Sequence, residues 1–227
     1  MSRSNNSEST NPADKFFEWS GAEGGVKYYD KDTKVNVSVP FPFKFLVLDR
    51  MAQVTGGVDT NDGYLGYWSN AVRNINSEPF VVRSKKGIVA EGFYRDIKAT
   101  AGIKFMTGLY IAYKGDGLRI GHLALKGSSL TPWIDFTSKH KNIFAGAFAI
   151  IDKAEKKKGT NTYYEPVFAH YDDVSDETDQ QAQALDKELQ VYLTAYFSKN
   201  KAEEVSTTDE EARAFVGEDF TNDEIPF

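Results

Sequence analysis

The chain contains no cysteine, which excludes a disulfide framework, a thiolate metal site and a cysteine nucleophile. Histidine is scarce. His122, His140 and His170 stand 18 and 30 positions apart, so no local His-x-x-His metal spacing exists. Long apolar runs are missing as well. The longest, residues 143–151, has nine residues with a glycine inside, whereas a transmembrane helix needs about 20. The N-terminus is polar and lacks the apolar stretch of a secretory signal. Neither G-x-G-x-x-G nor G-x-x-x-x-G-K-[ST] occurs, so dinucleotide and P-loop chemistry are not indicated. These absences lead to the expectation of a soluble, cytoplasmic protein with no metal, no cofactor and no membrane contact.

What is present is unevenly spread. The 227 residues, 41% of them hydrophobic, suffice for one large domain with appendages. The net charge of −6 hides a division. Residues 1–170 hold 23 Lys+Arg against 17 Asp+Glu, a net of +6, and residues 171–227 hold 4 against 16, a net of −12. A basic body joined to an acidic end suggests nucleic-acid contact by the first and a tail role for the second. Aromatic residues reach 14%, with 12 tyrosines. Each buried tyrosine hydroxyl needs a partner, so some of these rings are candidates for a surface that stacks bases.

Residues 1–14 are polar and read as a disordered arm. From there to residue 172 short strand-like segments alternate with turn signals. Val35, Val37 and Val39 alternate with polar residues, the mark of a half-buried strand. Gly56-Gly57 and Asn61-Asp62-Gly63 read as a loop or hairpin turn. Residues 87–99 fit helical spacing, with two glycines against it. Residues 103–126 form the clearest hairpin, turning at residues 114–117. Thr131-Pro132 opens a short helix, with Trp133 placed to pack on the sheet. Residues 143–153 and 162–170 form a second hairpin, with residues 155–159 as its tip. From Ser175 the period becomes helical: Leu185, Leu189, Tyr192, Leu193, Tyr196 and Phe197 mark one face of a helix over 173–201, with acids at its start. Residues 202–227 are acidic, poorly periodic and read as disordered. Short strands, glycine turns and few helices point to a mainly β fold, an antiparallel barrel with added helices.

Two kinds of candidate site residue follow. Lysines and arginines that neutralise phosphates give salt-dependent affinity for any sequence, and rings beside them stack bases. On that basis the DNA-binding candidates are Tyr28, Tyr67, Trp68, Arg73, Arg83, Lys85, Lys86, Tyr94, Arg95, Lys98, Tyr113, Lys114, Lys156, Lys157 and Lys158. Among them Tyr67, Trp68, Tyr94 and Tyr113 are the favoured stackers. Asp116 with Arg119 and His122, or Asp135 with His140, can be drawn as catalytic pairs. No nucleophile, metal or base is fixed among them, so no enzymatic activity is expected.

The chain stops on Asp223-Glu224-Ile225-Pro226-Phe227, an apolar tip that carries its own carboxylate and suits capture in a small pocket. This ending resembles the Asp-Asp-Ile-Pro-Phe terminus of bacterial single-stranded-DNA-binding proteins, and the layout of basic body and acidic tail resembles theirs and that of several phage replication proteins. The likeness in motif covers residues 218–227. The longer body and the added helix depart from the bacterial form and fit a phage-encoded member better. The resemblance implies an oligonucleotide-binding (OB) barrel, no catalysis, sequence-independent coating of single-stranded DNA in replication, recombination or repair, and a location in the cytoplasm of an infected bacterial cell. It also implies recruitment of replication and repair proteins through Asp223, Glu224, Ile225, Pro226 and Phe227. A recombination-mediator or strand-annealing protein, and a DNA-mimic inhibitor of a host enzyme, are the alternative readings.

Overall fold

The computed structural model describes residues 10–140, 142–171 and 173–202. Within them, eleven strands and three α-helices follow one another: β1 (Lys15–Ser20), β2 (Gly25–Asp30), β3 (Val35–Val39), β4 (Phe43–Thr60), β5 (Gly63–Ser69), β6 (Phe80–Ser84), β7 (Gly87–Gly92), α1 (Tyr94–Ile97), β8 (Ile103–Gly115), β9 (Gly117–Lys126), α2 (Leu130–Thr137), β10 (Ala147–Lys158), β11 (Asn161–Tyr171) and α3 (Asp176–Ala202). The fold is mainly β, with one mixed sheet and a C-terminal helix. No described helix is long and apolar enough to cross a membrane.

The sheet runs β3-β2-β1-β9-β8-β4-β5-β6-β7, and β10 pairs with both β4 and β11. All ladders are antiparallel except β1 with β9. The 18-residue β4 is the spine. One edge of it pairs with β8 from Phe45 to Gly56. The other edge takes β10 at Phe43–Phe45 and β5 at Thr55–Thr60, so two hairpin systems leave the same side of one strand. A bulge between Val47 and Asp49 exchanges the faces of β4. Before it, Phe43, Phe45 and Val47 point into the main core; after it, Ala52 and Val54 point into the cluster under the β5–β7 lobe and Met51 to the other face.

Three clusters result. The largest gathers Phe17, Trp19, Phe45, Leu109, Ile111, Leu123, Phe148 and Trp133, so Trp133 plugs the curled sheet as its place after Pro132 suggests. A second lies under the β5–β7 lobe, around Val54, Tyr67, Phe80, Val82 and Ile97. The third is on the opposite face, where α3 lays Leu189, Tyr192 and Leu193 against Met51, Tyr110 and Ile120.

The sheet path does not close on itself. β11 approaches the β1–β2 turn, where Tyr164 N–H donates to the Gly21 carbonyl at 2.8 Å and Trp19 Nε1 donates to the Tyr164 carbonyl at 3.0 Å, but no ladder joins them.

Several expectations are corrected. Gly56 and Gly57 make no turn; they lie inside β4, where a Cβ on Gly56 would run into the Gly102 carbonyl oxygen, so close backbone approach is the reason for glycine. Residues 87–92 are a strand, and only one helical turn follows, since Gly92 at φ 141° breaks the run. The segment 15–20 forms β1, a strand whose mixed aromatic and charged sequence carries no clear alternation. Residues 10–14 lie against the sheet, with Asp14 N–H donating to the Ile120 carbonyl at 2.8 Å; the rest of the expected arm, residues 1–9, is outside the described residues.

Candidate nucleic-acid interface

Cross-strand partners share a face. The face that carries α3 can therefore be read row by row. One row is Arg83–Trp68–Thr55–Lys104. The next holds Gln53, Met106 and Lys126. A third runs Met51–Gly108–Ala124–Glu18–Lys27. A fourth runs Asp49–Tyr110–His122–Phe16. The opposite face of β8 and β9 is lined mostly by the core side chains Leu109, Ile111, Tyr113, Leu123 and Leu125, with Thr107 buried beside them and Arg119 exposed at its end. The buried polar groups Asp49, Gln53 and His122 and the paired ions Glu18, Lys27 and Lys126 thus lie on the face with α3, whereas most of the buried rings lie on the other.

The charges on this face are ordered. Glu18 bridges Lys126 at 3.1 Å and Lys27 at 3.7 Å, leaving one net positive charge in the trio. Burial pushes the Lys126 ammonium below its ordinary range, and Glu18 opposes that shift. His122 is buried, and burial alone lowers its pKa to about 4. Lys104 is exposed beside this group.

The favoured stacking rings do not lie on the surface. Tyr67 is 8% exposed and belongs to the core under the β5–β7 lobe. Trp68 is 9% exposed, and its Nε1 has no hydrogen-bond partner. Tyr113 is 6% exposed, packs edge-on against Phe17 at 4.9 Å and donates its hydroxyl proton to Asp14. Burial, then the Asp14 hydrogen bond, raises its pKa. None of these three presents an open ring face to a base. Tyr94 is half-buried, edge-on to Phe105 at 4.9 Å, and burial raises its pKa too. Tyr28 is half-buried under Lys15, whose Nζ lies 4.1 Å from the ring centroid. Tyr67 and Trp68 are neighbours on β5 and both are buried, and Tyr110 is buried as well as Tyr113, so strand alternation exposes none of these rings.

Arg73 is engaged by its neighbours in the fold. It donates to Asp49 at 2.8 Å and to Gln190 of α3 at 3.3 Å, and its guanidinium lies 5.3 Å from the Phe197 ring, so it ties the helix to β4.

The remaining cations fall into two groups. Arg83, Lys85, Lys86, Arg95 and Lys98 belong to the β5–β7 lobe and α1, with Lys86 paired to Asp62 at 3.1 Å. Lys156, Lys157 and Lys158 belong to β10 itself, because the turn falls at Gly159–Thr160 and not at 155–159. β10 leaves β4 after Ile150, so residues 151–158 extend with β11 as a two-stranded arm about 25 Å long. One face of the arm docks on the β1–β2 turn, where Lys153 Nζ donates to the Glu23 carbonyl at 2.9 Å. The other face carries Lys156 directly opposite Tyr163, with Lys158 two residues on. Lys114 is exposed at the β8–β9 turn, apart from both groups. Asp223 to Phe227 lie outside the described residues.

Lys104, Lys126 and Gln53 are not among the site residues that the sequence offers. Strand parity along β8 and β9 would have put Lys104 and Lys126 on one face, but only the register with β4 joins them to Trp68 and Arg83. Comparison of the chain with protein-family models, with curated proteins and with solved structures gives no match.

Proposed function

We propose that this chain is a non-enzymatic single-stranded-DNA-binding protein that coats DNA without sequence preference. In this reading β4, β8, β9, β10 and β11 are the five strands of an OB-type barrel, with α2 between the third and fourth and β1 added alongside β9. OB folds bind oligonucleotides on the face of their second and third strands and through the loops joining the first to the second and the fourth to the fifth strand. Here those places are the polar face of β8–β9, the excursion 61–102, and the arm.

The observation that carries the reading is the distribution of cations. Arg83, Lys85, Lys86, Arg95 and Lys98 all fall on the excursion between β4 and β8, and Lys156, Lys157 and Lys158 on the hairpin of β10 and β11. Two basic segments, one at each end of β4, offer two banks of cations to a phosphate backbone. The −12 charge of residues 171–227 fits a segment that competes with DNA for those banks, and the Ile-Pro-Phe ending fits recruitment of replication and repair proteins. Phage origin rests on the same ending and on the layout of the chain.

The test is a titration with fluorescent oligo(dT), oligo(dA) and duplex DNA over a range of salt. Tight, salt-sensitive binding of both single strands, with weaker binding of duplex, is the expected result. No single-strand affinity, even after removal of residues 203–227, overturns the reading.

A further inference from the structure

The sheet keeps polar groups beside and beneath α3, where a permanent helix interface is ordinarily apolar. Gln53 is 1% exposed, and neither its amide oxygen nor its amide nitrogen has a hydrogen-bond partner. Such a group costs free energy for as long as the site stays closed. Gly108 accounts for its position. A Cβ there would lie 2.6 Å from His122 Nε2 and 3.2 Å from Gln53 Oε1, so both side chains reach into the hollow that the glycine leaves. Rings border it: Phe16 and Tyr110 have centroids 5.8 Å and 5.3 Å from that of His122. A side-chain amide offers a donor and an acceptor to a base edge, and rings offer stacking faces.

The neighbouring helix α3 rests on Met51, Tyr110 and Ile120 of the same face along one stripe of its own. Of its 27 residues, Ala182, Leu189, Tyr192 and Leu193 are the buried ones among those whose side chains are described. Its polar tie converges on one carboxylate: Asp49 Oδ2 accepts from Arg73 at 2.8 Å and from Gln190 at 3.0 Å. Tyr196 adds a second tie, its hydroxyl oxygen accepting from Ala71 N–H at 3.1 Å.

We propose that α3 is a displaceable cover, and that the face it stands on, centred on the hollow over Gly108, receives bases of a single strand with Gln53 paired to a base edge. This deepens the DNA-binding reading above and rests on it. It also reverses the sign expected at Arg73. An arginine that meets phosphate weakens binding when removed, whereas removing a latch on the cover strengthens it.

The experiment uses the full chain with oligo(dT). Hydrogen exchange is followed at the α3 amides 189–196 with and without saturating oligonucleotide, and affinities are measured for Gln190→Ala, Arg73→Ala and Gln53→Leu. Expected are faster exchange in α3 on binding and a gain of about threefold to tenfold in affinity for Gln190→Ala. Gln53→Leu is expected to lose about tenfold with no drop in melting temperature. Arg73→Ala is expected to bind at least as tightly as the parent. If oligo(dT) binds while α3 exchange is unchanged or slowed, or if Gln190→Ala and Arg73→Ala both weaken binding, α3 is a fixed part of the body and the inference is wrong. Absence of oligo(dT) binding, with or without residues 203–227, defeats the DNA-binding reading and this one together.

Discussion

The Tyr113 hydroxyl donates to Asp14 Oδ2 at 2.7 Å, joining the last part of β8 to the residue just before β1. Arg119 stands 3.8 Å from the same carboxylate oxygen. The ring that sequence reasoning offers to a base is thus one that fixes the N-terminal strand in place. Tyr113→Phe keeps the ring and removes the bond. The expected loss is about 1–2 kcal/mol of unfolding free energy in urea, with DNA affinity unchanged. A loss of affinity at constant stability would return Tyr113 to the DNA surface.

Tyr67 fills the core of the β5–β7 lobe. Tyr67→Ala is expected to destabilise by about 3 kcal/mol, read as a lower urea midpoint. The effect on DNA binding should follow from loosening of the lobe, so cooling or a stabilising osmolyte should restore it. Stability equal to that of the parent chain would show that the ring is not packed.

Lys156 and Tyr163 face each other on the undocked side of the arm. Replacing Lys156 and Lys158 by alanine should flatten the slope of log affinity against log salt by about 0.7 for each of the two lysines that neutralises a phosphate. Tyr163→Ala should weaken binding of every sequence by about 1–3 kcal/mol and leave the slope nearly unaltered. An unaltered slope in the first case would make the arm a solvated ribbon.

His122 gives a pH dependence with a definite sign. Its folded pKa is about 4 against an ordinary 6.5, so below 6.5 the unfolded chain takes up a proton that the folded chain refuses. Stability is full above pH 6.5 and falls as the pH drops to about 4, by roughly 3 kcal/mol from this residue. His122→Gln should flatten that part of the stability–pH curve. An unchanged curve would mean that the imidazole gains its proton in the folded state without penalty.

Leu189 and Leu193 are fully buried on the inner face of α3. Leu189→Ala should cost about 2–4 kcal/mol when global unfolding is followed, or release α3 alone when helix exchange is followed. Which of the two occurs measures how independently the helix comes away.

Much of this fold can be read from the sequence where period and turn chemistry agree. The β8–β9 hairpin and the apolar stripe of α3 combine a hydrophobic period with a local stop or start signal, and Thr131-Pro132 marks α2, whose first residue is Leu130 and whose N-cap is Ser129. β1 lacks such agreement: Phe16 and Phe17 are adjacent, Glu18 intervenes, and only pairing with β9 decides which ring turns inward. The glycine pair in β4 has the composition of a turn but serves a backbone approach to residue 102, a meeting of distant chain segments that no local pattern encodes. The candidate site divides the same way. Cations are visible in the sequence as clusters, but Lys156, Lys157 and Lys158 lie on β10, ahead of the turn at residues 159–160 and not in it. The stacking rings depend on strand parity and register, and the bulge at Val47–Asp49 exchanges the faces of the strand that organises both.

The single parallel ladder sets a schedule for synthesis. β1 leaves the ribosome just ahead of β2 and can pair with it at once, but its other edge waits for Gly121–Ala124, more than 100 residues later. At about 5–20 residues per second that edge stays unpaired for roughly 5–20 s. The β1–β2–β3 meander therefore docks onto a β4–β8–β9 sheet that has already begun to form, and the carboxylate of Asp14 reaches Tyr113 only at that docking. A ribosome stalled before residue 121 should carry a chain whose N-terminal residues remain open to protease, and one stalled well beyond 126 should not.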